Sequence, residues 1–146
     1  MTNRAKKIIV IAAAALTLCV LFVVGVMVGA AVIGWKAAVR SGNEAATVQN
    51  LKTIGAMEVQ YFNTHKRTFG SFEQLMKENM LNSKLAGSPP LSDGYAFDLR
   101  IDGSSYKLNA DPIDDTYGRN HFFIDSTSPV IHVNADEPAG PNDPVQ

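Results

Sequence analysis

A chain of 146 residues, 46% hydrophobic and with a formal net charge of −1, has the average composition of one small globular domain. Its single cysteine excludes an internal disulfide, so an exported fold of this chain has to be held by its core. The average hides a division. From Met1 to Arg40 every charge is positive (Arg4, Lys6, Lys7, Lys36 and Arg40), and all 14 acidic residues lie beyond, where they outnumber the remaining Lys and Arg. Basic residues in that second part are scattered among carboxylates, which argues against a nucleic-acid partner: only Lys66, Arg67 and Arg119 offer a patch, and only if the fold gathers them.

The first element is a basic start, residues 1–7, followed by a charge-free apolar run over residues 8–35. As a helix rising about 1.5 Å per residue, that run is long enough to cross a hydrocarbon core of about 30 Å, and a transmembrane helix is predicted there. The basic residues on either side favour an N-terminus in the cytoplasm, and Trp35 stands where an interfacial anchor belongs. This places the protein in the cytoplasmic (inner) membrane as a single-pass protein. Val28-Gly29-Ala30 offers small residues for signal cleavage, but the apolar run before it exceeds the roughly 7–15 residues of a signal-peptide core, so a retained anchor is expected. Leu18 before Cys19 is too bulky for a lipoprotein site. Gly25 and Gly29 form a G-x-x-x-G pair, with Ala30 and Gly34 at the same spacing; such small residues let membrane helices approach, and a helix–helix contact between copies is the corresponding expectation.

Residues 36–133 are predicted to form one extracytoplasmic domain. Val48, Leu51, Ile54, Met57 and Tyr61 recur at steps of three or four and define an apolar helical face, with Gln49, Asn50, Lys52 and Glu58 assigned elsewhere on the helix. Ser41 and Glu44 fit a capping box, so Gly42 is expected to mark a bend or a fresh helix start within one long helix. His65-Lys66-Arg67 ends the pattern as a cationic cap. Ser71 opens a second S-x-x-Q pattern and a short helix in which Phe72, Leu75, Met76 and Leu81 cover the same core. From Gly94 the period becomes two: Tyr95, Phe97, Leu99 and Ile101, a tight turn at Asp102-Gly103, then Tyr106, Leu108 and Ala110. "HFFID" and "VIHV" read as two more strands, joined by Ser126 to Pro129, and residues 134–146, rich in acid, Pro and Gly, read as a flexible tail. The fold class is α+β: an N-terminal transmembrane helix continuing into an amphipathic helix packed on a small antiparallel sheet of about three to four strands.

The residues that carry chemistry are few. Asp111, Asp114 and Asp115 in "DPIDD" are the candidate metal ligands, for calcium, although their spacing matches no defined calcium loop. His121 and His132 are a second pair that could share a sheet edge. No HExxH, GxSxG, CxxC, Walker or dinucleotide pattern accompanies the three histidines, so no enzymatic activity and no cofactor are expected.

The apolar helix running into "NEAATVQNLKTIGAMEVQYFNTH", the short helix near "SFEQLM", and then "GYAFDL", "YKLNADP" and "FFID" together resemble the type IV pilin-like proteins over almost the whole chain, the head resembling the major-pseudopilin group of type II secretion. The resemblance rests on Asn43, Glu44, Ala45, Leu51, Thr53, Ile54 and Tyr61 in the helix, and on Gly94, Tyr95, Phe97, Tyr106, Ala110, Pro112, Phe122, Phe123 and Asp125 in the head. It implies a structural or interaction module whose partners are the membrane, further copies of itself, or pilus and secretion-system proteins; some relatives bind calcium in the head. The chain departs from the family at its front. No acidic residue precedes Glu44, and none of Gly25, Gly29 or Gly34 is followed by the family's phenylalanine and glutamate, so prepilin-peptidase processing is not expected. In pilins that membrane glutamate meets the neighbouring subunit's amino terminus; this chain lacks it, which favours an anchored module over a filament subunit.

Overall fold

No proline occurs before Pro89, so nothing in the first 64 residues removes a backbone donor. The computed structural model describes residues 3–146; Met1 and Thr2, part of the basic start expected at 1–7, lie outside the described residues. Helix α1 runs from Asn3 to Thr64 without a break. Gly42 does not restart it, and Glu44 is not spent on a capping box with Ser41: its carboxylate is committed to a loop of the head instead.

The chain divides into two units, Met1–Ala38 and Val39–Gln146. In the first, the described side chains of α1 are all exposed, including Phe22, Met27, Ile33 and Trp35. Within α1, the stretch beginning at Ile11 is long and apolar enough to cross a membrane.

The second unit is an α+β head. After α1 come α2 (Phe72–Lys77), a 3-10 turn (Ser83–Leu85), and strands β1 (Leu91–Ser92), β2 (Tyr95–Asp102), β3 (Ser105–Pro112), β4 (His121–Asp125) and β5 (Ser128–Asn134). The strands form one antiparallel sheet in chain order, a meander in which every neighbour is reached by a short connection. β1 adds a strand that hydrophobic alternation does not reveal, because it is two residues long. Its Asp93-Gly94 turn has φ +53° and +77°, the doubly positive backbone of a type I′ hairpin. The β2–β3 turn, predicted at Asp102-Gly103, closes with Asp102 opposite Ser105 and Gly103 at φ +59°. α2 opens on the expected capping box: the Gln74 N–H donates to Ser71 Oγ and the Ser71 N–H to Gln74 Oε1.

One face of α1 covers one face of the sheet. Leu51, Ile54 and Tyr61 meet Tyr95, Phe97, Tyr106, Leu108, Phe122 and Ile124, with Leu75, Leu81 and Leu85 closing the side. Each such fully buried large side chain contributes about 1.5–3 kcal/mol relative to leaving it in water. Ile101, expected to extend the inward row of β2, is exposed, since it lies past the end of that cover.

Residues 134–146, read from the sequence as a flexible tail, lie along the sheet in the structure. Phe123 alternates with Phe122 and Ile124 and therefore faces the opposite side of the sheet, yet it is buried. Its cross-strand neighbours are Asn109 and His132. Asn109 donates to the Ala139 carbonyl (2.8 Å) and His132 Nδ1 to the Asp143 carbonyl (2.7 Å). Backbone bonds from Val133 to Pro144 and from Gln146 to Ile131 tie the segment along β5. These bonds hold the tail to the residues that flank Phe123, and Ala139 within it is buried.

The loop between β3 and β4 is fastened to α1. Asn43 Nδ2 donates to the Tyr117 carbonyl (3.0 Å), Arg40 Nε to the Asp115 carbonyl, and Glu44 accepts from the backbone of Arg119 (3.0 Å) and from Asn120 Nδ2 (2.8 Å). The Tyr95 hydroxyl donates to the Asn120 carbonyl, and a Cβ on Gly118 would stand 1.9 Å from that hydroxyl. Gly118→Ala is therefore expected to lower head stability by about 1–3 kcal/mol, as overpacking does. Urea unfolding of the full chain in detergent measures it, and an unchanged midpoint would mean the loop gives way freely.

Candidate functional site

Five residues at steps of four and three form the centre of the buried helix face: Thr47, Leu51, Ile54, Glu58 and Tyr61. Three are apolar and two are not. Glu58, assigned by periodicity to the helix's polar side, is instead 0% exposed. Its Oε2 accepts the Gly70 N–H at 2.9 Å, while Oε1, like Thr47 Oγ1, is buried without a hydrogen-bond partner. No salt bridge reaches Glu58 among the described residues. Burial raises its pKa from 4.5 to about 7, against the smaller downward pull of the Gly70 hydrogen bond.

Beside this carboxylate the same helix and the β4–β5 hairpin enclose a groove of about 420 Å³. Gly55 forms its floor, where the absence of a side chain lets the Tyr106 hydroxyl approach: a Cβ at position 55 would lie 3.1 Å from that oxygen. Phe69, Ile124 and Val59 supply apolar walls, Lys52 a cationic rim, and the turn from Asp125 to Pro129 the end. Phe69 stands edge-on to Tyr106 at 4.9 Å and stacks on Phe62 at 4.6 Å.

Two titratable groups of the groove, Tyr106 and Asp125, are each held in one state near pH 7. Burial, followed by the charges of Glu58 and Asp125, pushes the Tyr106 phenol up to about 12, so it stays neutral near pH 7. Burial also works upward on Asp125, but hydrogen bonds from the Thr127 hydroxyl (2.6 Å), the Thr127 N–H (2.8 Å) and the Ser128 N–H (3.2 Å), helped by His132, hold its carboxyl below the usual range. Asp125 thus closes the hairpin turn. What the groove offers is shape, apolar surface and a neutral phenol, which suits binding.

The residues singled out in the sequence lie elsewhere. Asp111, at the end of β3, pairs with His121 Nδ1 at 2.6 Å. Asp114 accepts the Thr116 N–H at 2.7 Å, and the Asp115 carbonyl is taken by Arg40. Among the described residues no group of three His, Cys, Asp or Glu side chains is arranged to hold a metal ion, so Asp111, Asp114 and Asp115 are not brought together as a calcium ligand set. His132 is engaged by the Asp143 carbonyl and does not join His121. Gly25, Gly29 and Gly34 lie on the exposed first part of α1, where an added Cβ would meet nothing within 4 Å. At about 100° per residue Gly25 and Gly29 share a face, whereas Gly34 falls on the opposite one, with Ala30.

Sequence reasoning missed Glu58, although its position, four residues after Ile54 and three before Tyr61, was signal enough. Its raised pKa has a measurable consequence. Below pH 4.5 native and unfolded chains both hold the proton and stability is full; between pH 4.5 and about 7 only the unfolded chain loses it, and stability falls; above about pH 7 the loss is complete, at about 3 kcal/mol. Urea unfolding from pH 4.5 to 8 is expected to show that decline in the parent relative to Glu58→Gln, and a pH-independent difference between the two would refute it. No protein-family model matches this chain, and neither a curated protein nor a solved structure does.

Proposed function

We propose that this chain is a single-pass membrane protein that displays a pilin-like head outside the cytoplasm as a non-catalytic structural or interaction module, accessory to a type IV pilus or a type II secretion system. The observation that carries the reading is the charge-free run from Ile8 to Trp35, set within one unbroken helix whose later turns pack the head. A helix satisfies its own backbone donors and acceptors, so such a run enters hydrocarbon without exposing them. The flanking Arg4, Lys6 and Lys7 suit a cytoplasmic start, and the exposed indole of Trp35 suits the opposite interface. The pilin-like part of the reading is supported by the order of elements, a long helix followed by an antiparallel meander, and by the structural use of Asn43, Glu44, Tyr95 and Tyr106. The absence of an acid before Glu44 favours the anchored module over a filament subunit.

Fractionation with N-terminal sequencing tests the reading. The expected result is an uncut chain in the membrane fraction that resists a high-salt wash and is released only by detergent. A chain beginning near Ala31 in the soluble fraction would overturn it. Within the membrane, Gly25→Leu with Gly29→Leu is expected to weaken crosslinking between copies, because that face then loses its close approach; crosslinking at the parental level would remove the small-residue face from the reading.

A further inference from the structure

The connector from His65 to Gly70 joins α1 to α2 and is held at both ends by side-chain contacts. At its far end the Gly70 N–H donates to the buried carboxyl of Glu58. Gly70 also lies close against the Tyr61 ring, which a Cβ there would meet at 3.1 Å, a tight contact. At its near end His65 stacks on Tyr61 at 3.8 Å, with Nε2 2.7 Å from Glu78 Oε1 and Nδ1 3.1 Å from the Tyr61 carbonyl. Only a doubly protonated ring donates to both. Between these ties Lys66 and Arg67 take φ +53° and +62°, left-handed backbone that costs a non-glycine residue roughly 1 kcal/mol or more. The connector is a strained segment under two ties, and it carries Phe69 into the groove wall.

The titratable groups around Glu58 are few. Tyr106 faces it from β3 and remains a neutral phenol; Tyr61 lies one turn along α1; His65 and Glu78 form the pair beyond Tyr61; Lys66 and Arg67 are exposed. Asp125 acts on Tyr106 rather than on Glu58. No cation is paired with Glu58 among the described residues, and Oε1 has no donor. When Glu58 ionises in this position, its charge has one hydrogen bond for two oxygens, and the simplest route to more is water admitted under the connector.

We propose that residues 65–70 are a proton-controlled latch: with Glu58 neutral the connector lies closed on α1, and ionisation of Glu58 lets Phe69 and Gly70 lift, opening the groove beside them. The closed form belongs to acid conditions and the open form to neutral and alkaline ones.

Hydrogen exchange followed by mass spectrometry, on the full chain in detergent micelles, tests the latch. If the open form gives Glu58 its ordinary value of 4.5 against about 7 when closed, opening of residues 65–70 grows about 70-fold between pH 5 and pH 8, after correction for the intrinsic chemistry of exchange. The expected result is that growth in the parent and in His65→Gln, none in Glu58→Gln, and no response of these amides to low urea, while amides of β3 and β4 respond to urea as global unfolding requires. Growth that persists in Glu58→Gln, or amides of 65–70 that follow β3 in both pH and urea, would overturn the latch and leave Glu58 as a determinant of stability alone. Should Glu58→Gln fail to fold, a Trp35→Phe, Phe69→Trp chain gives a second reading. Its emission is expected to shift to the red with a midpoint near pH 7, and a flat titration over pH 5–8 sinks the proposal.

Discussion

The packing of one helical stripe onto one face of a five-stranded meander governs the rest of the head. Thr47, Leu51, Ile54, Glu58 and Tyr61 come around every three or four residues and bring the backbone of α1 close to the sheet. That approach brings Gly55 close to the Tyr106 hydroxyl and Gly70 close to the Tyr61 ring, each at 3.1 Å from where a Cβ would stand. Once α1 is seated, its flanks are within reach of the loops, and Asn43 and Glu44 hold the β3–β4 connection through backbone groups that water would otherwise satisfy. The loop after β3 therefore owes its place less to its own sequence than to the helix beneath it.

Placing a carboxylate in the middle of such a stripe is unfavourable as packing. A leucine at position 58 would bury more apolar surface and leave no oxygen without a partner. Glu58 instead ties a connector with two left-handed residues to the helix and makes the strength of that tie depend on a proton. The groove next to it has a glycine floor, a neutral phenol and aromatic walls, and one of those walls, Phe69, belongs to the connector. Stability, strain and surface shape thus meet at one side chain. A buried ionisable group with a shifted pKa beside a concave surface is the combination in which a functional role is most often found.

The fold itself names no activity, since a helix on an antiparallel sheet serves many purposes. The proposed role rests on the apolar run of α1; in the head, Asp125 closes a turn, Glu44 ties a loop and Asp111 pairs with His121. Such commitments build a rigid surface. They fit a module that is recognised or that recognises.

Much of the architecture was legible before any coordinates, because it depends on neighbours in sequence. The charge-free run, the helical period beyond it, the capping box at Ser71 and the two-residue turn after Asp102 are all decided within a few positions of the chain. "HFFID" read as a strand, but its burial on both sides, through Phe123 as well as Phe122 and Ile124, was not read from the sequence. Only the tertiary structure decided that the Pro- and Gly-rich tail runs along β5, that Glu44 serves residues 119 and 120 rather than its own helix, and that Asp111 and Asp114 turn to separate partners. It also decided that Glu58 is inside. Local periodicity sets which face a residue occupies, but the sheet and connector determine how wide a stripe is covered and which polar groups must find partners there. The sequence by itself determined the elements and their apolar faces; the long-range contacts determined where its few ionisable side chains lost their water.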